Sequence, residues 1–399
     1  MSQPRLRLCR DLRLPDHLRL ARYRRSPEVG PRILFFSGGS ALNPLCRQLV
    51  DYTHNSIHII TTFDSGGSSA ALRQAFGMPA VGDIRNRLMA LTGQSVGGNP
   101  EVVELFAYRF PHQADPRGLP RRLAEMVSGR HRLVAAVPDP LRKIIRNHLG
   151  YLAQALPEGF DLRGASVGNL VLAGGYLNNG RHLDPVIYLF SKLAEVRGVV
   201  RPVLNDHLHL CAELEDGRVL VGQHLLTGRV APPLTSPIKR LFLSRTKRRP
   251  SDVAAAARGK LLSLIAQAEL ICLPMGSFYT SLLANLLPQG ICQAIAQAQC
   301  PKVFIPNPAG DPEQLGLDLT STVATLLKYL RQGCGPDVPK ANLVDLVLLD
   351  SHMPYPGSLA GLEAVGSLGP QVLDVRLGRE DAPGTYDPRV LAELLLSMV

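Results

Sequence analysis

The chain has 399 residues, long enough for a large buried core and about two to three domain equivalents. Apolar residues make up 45% of it, yet no unbroken apolar run reaches membrane-spanning length. The best candidate, near Leu261 to Pro274, is interrupted by Gln267 and Glu269, so a soluble globular protein is expected. The seven cysteines include no C-x-x-C pair, which argues against a structural zinc site and for reduced thiols in a cytoplasmic protein.

The net charge of +11 is uneven. Residues 1–32 hold nine arginines and three acids, and read as a solvated arm without the apolar stretch of a signal peptide. A second basic cluster comprises Lys239, Arg240, Arg245, Lys247, Arg248 and Arg249, and reads as a loop that meets an anionic ligand or a partner chain. Neither cluster interleaves aromatics and the chain lacks Trp, so nucleic-acid binding is not expected.

In chain order, Ile33 to Ser37 is a short apolar strand closed by Gly38-Gly39-Ser40. A helical pattern follows through Leu42, Leu45 and Leu49. A second, β-branched strand over Ile57 to Phe63 ends at Asp64-Ser65-Gly66-Gly67-Ser68-Ser69, and another helix opens there. This strand, turn and helix rhythm predicts a parallel α/β sheet. Residues 99–156 look mainly helical. Gly164 to Tyr176 and Leu183 to Val196 predict two more helices.

From Val199 to Thr227 the period changes to two, and Asp216-Gly217 predicts a hairpin beside the main sheet. A basic loop over about 237–251 and a helix over 252–267 come next. Strand Leu270 to Leu273 then meets the turn Pro274-Met275-Gly276-Ser277, with a helix near Phe278. Strands over Lys302 to Pro306 and Leu343 to Asp350 flank a helix near Thr320 to Leu330. The expected fold is α/β: a Rossmann-like, doubly wound, mainly parallel sheet with helical layers and a small antiparallel excursion.

In such a sheet a ligand lies beyond the carboxyl ends of the strands. Three strand ends carry small turns, at Gly38-Gly39-Ser40, Gly66-Gly67-Ser68-Ser69 and Gly276-Ser277. Their glycines and free N–H groups suit phosphate. Neither a P-loop nor a dinucleotide fingerprint is present. Asp64 and Asp83 add carboxylates, which beside phosphate suit Mg²⁺; helix capping is the plain alternative for each. Arg85 and Asn86 could reach a phosphate, a base or a sugar edge, and an ion pair is the alternative for Arg85. Ser166 reads as a cap, whereas Asn169 is a poor helix-interior residue that needs another reason. His207 and His209 alternate on a strand without a third metal ligand in register.

The motifs GGS, DSGGSSAALR, GMPAVGDIRN, ASVGNL, AELEDG and GSFYTSLLANLLPQGI, in this order, resemble the CofD/YvcK superfamily. Their details are closer to the CofD-related branch associated with the GAK system. The resemblance runs from about residue 33 to 350. It divides the chain into an arm, 1–32, and a CofD-like α/β domain, 33–399.

The resemblance implies a nucleotide or nucleotide-sugar ligand. Gly38, Gly39, Ser40, Gly66, Gly67, Ser68, Ser69, Arg85, Asn86, Asn169, Gly276, Ser277 and Tyr279 would bind it. Asp64 and Asp83 would be catalytic, with Mg²⁺ at Asp64. It implies a 2-phospho-L-lactate transferase-like enzyme or a YvcK-like, non-catalytic regulator of carbon or cell-wall metabolism. No membrane partner is expected, and a homo-oligomer is left open. The sequence departs from the pattern at Ala41 for Gly, Ser65 for a second acid, Ala165 for His and Ala71 for Arg.

Overall fold

A computed structural model of the chain describes residues 11–92, 99–228, 231–308, 310–335, 338–339, 343–356, 361–379 and 381–399. Seven strands form the main sheet: β1 Ile33–Ser37, β2 Ile57–Ile60, β3 Val199–Pro202, β7 Leu270–Leu273, β8 Lys302–Phe304, β9 Leu346–Leu349 and β10 Gln371–Asp374. Their order is β10-β9-β8-β7-β1-β2-β3, and every pairing is parallel. β1, β2 and β7 are buried along their whole length, which explains why they read as continuous apolar runs rather than alternating ones.

The chain order turns back at β1, with β2 on one side and β7 on the other. Neighbouring connections leave the sheet in opposite directions there, and the crevice they open is where open α/β sheets receive ligands. The strands β4 His209–Leu214, β5 Val219–Val221 and β6 Ile238–Ser244 form a second, antiparallel sheet in the order β5-β4-β6.

Several expectations change. Val199–Pro202 belongs to the main sheet, since its parallel pairing with β2 is a long-range contact that local periodicity cannot reveal. The stretch read as a basic loop begins as a strand. There Lys239 and Arg240 both pair with Glu213 on the adjoining strand, at 2.8 and 2.7 Å, so two of those charges are met within the sheet. The helix placed at 252–267 spans only Gly259–Ala266. The segment after β7 is a wide turn, Phe278–Leu282, followed by a 3₁₀ turn, Leu283–Leu286. Strand β10 and the last helix, Pro388–Ser397, were not predicted. No helix of the described residues is long and apolar enough to cross a membrane. The six cysteines among those residues are free thiols, and Cys9 lies outside them.

The Arg-rich arm is docked where it is described. Asp16 caps the helix His17–Arg25 by accepting from the Arg19 amide. Its own N–H donates to Ser397 Oγ at 2.9 Å, which ties the arm to the last helix. Leu20 is buried, whereas Arg22, Arg24 and Arg25 face solvent. The near-silent truncation expected of a free arm does not follow from this packing. Deleting residues 1–25 should lower unfolding stability by about 2–4 kcal/mol in denaturant titration, from the lost Leu20 burial and helix cap.

Candidate functional site

The first three turns to consider follow β1, β2 and β7. At Gly38 a Cβ would stand 2.6 Å from Thr61 Oγ1, 3.0 Å from Ser281 Oγ and 3.3 Å from Asp83 Oδ2. Only glycine leaves room for these three polar groups to converge on the end of β1. Gly82 leaves room in the same way nearby: its Cβ would meet Ser69 Oγ at 2.6 Å, Asp64 Oδ2 at 3.7 Å and Asn169 Nδ2 at 3.8 Å. Residues 82 and 83 are adjacent, so both carboxylates belong to one cleft. The turn after β7 closes against the turn after β1, where a Cβ on Gly276 would lie 3.6 Å from Ala41 Cβ.

Hydrogen bonds hold the cleft open. Asp64 Oδ1 accepts from the Gly66 N–H at 3.0 Å, an Asx turn rather than a helix cap. Asp83 accepts from the Gly39 N–H, and the residue at the cap position of its helix Gly82–Ala90 is Val81. Capping therefore accounts for neither acid. The helix Gly67–Phe76 makes its first backbone bond from Ala70 N–H to the Gly66 carbonyl, so the N–H groups of Gly67, Ser68 and Ser69 lack intrahelical partners. Ser69 Oγ accepts from the Gly82 N–H at 3.1 Å, and Ser68 Oγ from the Ser166 N–H at 3.1 Å. Ser166 caps the helix Val167–Asn178, as expected, and also accepts from Arg85. Arg85 further donates to Asn86 Oδ1. Ser40 lies exposed at the rim.

The electrostatics follow from burial. Asp83 is pushed up to about 6, first by burial and then by the charge of Asp64. Burial also raises Asp64, against the opposing Gly66 N–H and Arg73. Burial lowers Arg73 and Arg85 to about 10, and Arg109 adds to the effect on Arg85. Thr61 Oγ1, Asp83 Oδ2 and Asn169 Oδ1 are all buried without a hydrogen-bond partner. Buried polar atoms are almost always paired, so three in one cleft mark groups available to a ligand. Two carboxylates and a hydroxyl form a hard oxygen set that could hold Mg²⁺ together with water and phosphate.

The third turn differs from expectation. The Phe278 N–H donates to Asp311 Oδ2 at 2.7 Å, and the Tyr279 and Thr280 N–H groups donate to Glu313 Oε2 at 3.0 and 2.8 Å. These donors are thus taken by carboxylates from the loop after β8. The Tyr279 hydroxyl is buried and donates to the Ile238 carbonyl. Gly276 and Ser277 stay at the cleft's edge, and Ser281 reaches its floor.

Residues not anticipated include Thr61, which reads as part of a β-branched strand, and Arg73, which donates to the Phe63 and Asp64 carbonyls at 2.8 Å each. Arg87 was also missed; it is fully buried beneath the cleft, against Cys46 Sγ and Ser37 Oγ. His207 and His209 stack edge to face with centroids 5.0 Å apart, but the described residues contain no group of three metal-ligating side chains.

Residues 33–374 match the profile of the family described as 2-phospho-L-lactate transferase CofD. The chain is 32% identical over 324 residues to the gluconeogenesis factor of Bacillus subtilis, which covers 81% of this chain and 79% of that one. It is 26% identical over 378 residues to the gluconeogenesis factor of Listeria monocytogenes, covering 93% and 97% of the two chains. The crystal structure of a UPF0052-family protein from Bacillus halodurans superimposes with a TM-score of 0.66 at 26% identity, over 92% of this chain and 99% of that one. The chain therefore belongs to the CofD family and is similar along most of its length to the proteins called gluconeogenesis factors.

Proposed function

We propose that the cleft binds the diphosphate of a nucleotide-derived ligand together with Mg²⁺, and that the protein is a 2-phospho-L-lactate transferase-like enzyme passing a phospho-group to a hydroxyl acceptor. The observation that carries this reading is the unspent polar set of Thr61, Asp83 and Asn169, gathered beside the open N-terminus of the helix Gly67–Phe76. The three free N–H groups and the helix dipole favour phosphate oxygens. Asp64 and Asp83 would hold the cation, which would neutralise the charge that develops on the phosphates. Arg85 sits on the same side, anchored by Ser166, and can meet a further oxygen. Such transfers depend chiefly on positioning and charge neutralisation, so this arrangement needs few moving parts.

A second reading is a YvcK-like protein that binds a nucleotide sugar and turns nothing over. It is favoured by Ser65, which leaves this turn one carboxylate short of the family pattern, and by the names of the relatives. Both readings share the phosphate cleft.

Titration calorimetry should show a nucleoside diphosphate binding far more tightly than its nucleoside, with Mg²⁺ strengthening only the former. In Asp64→Asn the amide keeps the Asx turn, so the fold should hold while the Mg²⁺ effect on affinity disappears. Superimposable Mg²⁺ curves for wild type and variant would remove the cation from this site.

The raised Asp83 carboxyl also gives a signed pH effect. Its folded value, about 6, lies above the ordinary value of 3.8. Its contribution to stability is therefore complete below the ordinary value and is lost as pH rises through the folded one. Asp83→Asn, which mimics the protonated form, should flatten this loss. Relative to wild type it should gain about 1–3 kcal/mol between pH 4 and 7 in ligand-free unfolding experiments.

A further inference from the structure

Ser65 stands directly after Asp64, in the turn that opens the ligand-facing helix. Where the family pattern carries a second acid, this chain places a serine, and the fold brings a histidine to it from 159 residues away. Ser65 Oγ lies 2.7 Å from His224 Nδ1, and the His224 backbone N–H donates to the same oxygen at 3.2 Å. His224 sits in the 3₁₀ turn Gln223–Leu225 that follows β5. The approach depends on Gly222, with φ of 110°: a Cβ there would lie 2.9 Å from the His224 ring and 3.0 Å from Ser65 Oγ. Both side chains are half-buried, so they are sheltered yet reachable.

We propose that Ser65 and His224 form a proton relay that accepts the proton of the hydroxyl acceptor. This inference rests on the transferase reading of the cleft. The relay requires the Nε2–H tautomer of His224: the serine hydrogen then goes to Nδ1, the His224 amide takes one lone pair of Ser65 Oγ, and the other remains for an incoming hydroxyl. The separation falls within the reach required of a base and the group it activates.

In the transfer, the acceptor oxygen bonds to phosphorus. The phosphorus–oxygen bond to the nucleoside monophosphate breaks, and its electron pair leaves with that group. The acceptor's proton passes to Ser65 Oγ while the serine's own proton moves to His224 Nδ1. The pair thus supplies the proton acceptor without adding a third carboxylate beside Asp64, Asp83 and the phosphates.

The test uses the full chain with Mg²⁺, the four nucleoside 5′-diphospho-lactates as donors and glycerol as acceptor, following release of nucleoside monophosphate. His224→Ala should lower turnover by about 10²–10⁴-fold while donor affinity measured by calorimetry is unchanged. Added imidazoles should restore turnover in order of their basicity, a dependence that a purely structural histidine would not give. Equal rescue by weak and strong bases, undiminished turnover in His224→Ala, or donor binding by wild type without any release would overturn the relay and leave the binding site standing. Absence of donor binding by wild type would overturn the cleft reading itself, and the relay with it. Should His224→Ala fail to fold, ¹⁵N imidazole shifts of the wild-type protein decide the matter. The Nε2–H tautomer supports the relay and the Nδ1–H tautomer overturns it.

Discussion

Two carboxylates in one cleft at the end of a parallel sheet, Asp83 buried and Asp64 half-buried, are the constraint on which the rest of this site depends. Burial penalises the charge on Asp64 and on Asp83, and the charge of Asp64 raises Asp83 further. The protein offsets this locally. Gly39 and Gly66 lend backbone N–H groups, Arg73 grips the Asp64 carbonyl, and Arg87 lies one turn from Asp83 beneath the cleft. What is left unmet is Asp83 Oδ2, with Thr61 and Asn169 close by. The proposed cation would supply the counter-charge that these oxygens lack.

The arginines divide into distinct tasks. Arg73 and Arg87 are buried and give their terminal N–H groups to carbonyls, a hydroxyl and a thiol, while the Nε of each has no partner, so they act on the cleft through position and field. Arg85 is held by Ser166 and Asn86 at the cleft. The exposed arginines of the helix His17–Arg25 stay outside the site, and that helix instead packs on the last helix of the chain. The net charge of +11 is thus a mixture of surface and buried cations, and it overstates how basic any one face is.

The departures from the family pattern have structural consequences that differ. Ala41 lies in the turn that meets Gly276, where a small side chain is accommodated. Ser65 is met by His224, so the lost carboxylate is exchanged for a hydrogen-bonded pair. The turn that carries Tyr279 is closed by Asp311 and Glu313, whose carboxylates take the N–H groups that an anion would otherwise seek. The N–H groups without intrahelical partners therefore lie on the turn after β2 rather than on the turn after β7.

The sequence by itself determined the parallel core and the small-residue turns at the ends of its strands. β1, β2 and β7 are mainly apolar because they are buried along their whole length, and each meets a small-residue turn that local reading can recognise. Asp64, Asp83, Ser166 and Asn169 were legible for the same reason, since polar residues opening apolar helices stand out. Only the tertiary structure decided what the periodicity could not carry. It moved Val199–Pro202 into the main sheet, turned a basic segment into a strand and added β10 at the far edge. It also selected Thr61, Ser281 and His224, brought Glu313 to the Tyr279 turn, and consumed the donors of that turn. These are contacts between residues far apart in the chain, set by strand pairing and loop closure, and no local pattern of apolar and polar residues encodes them.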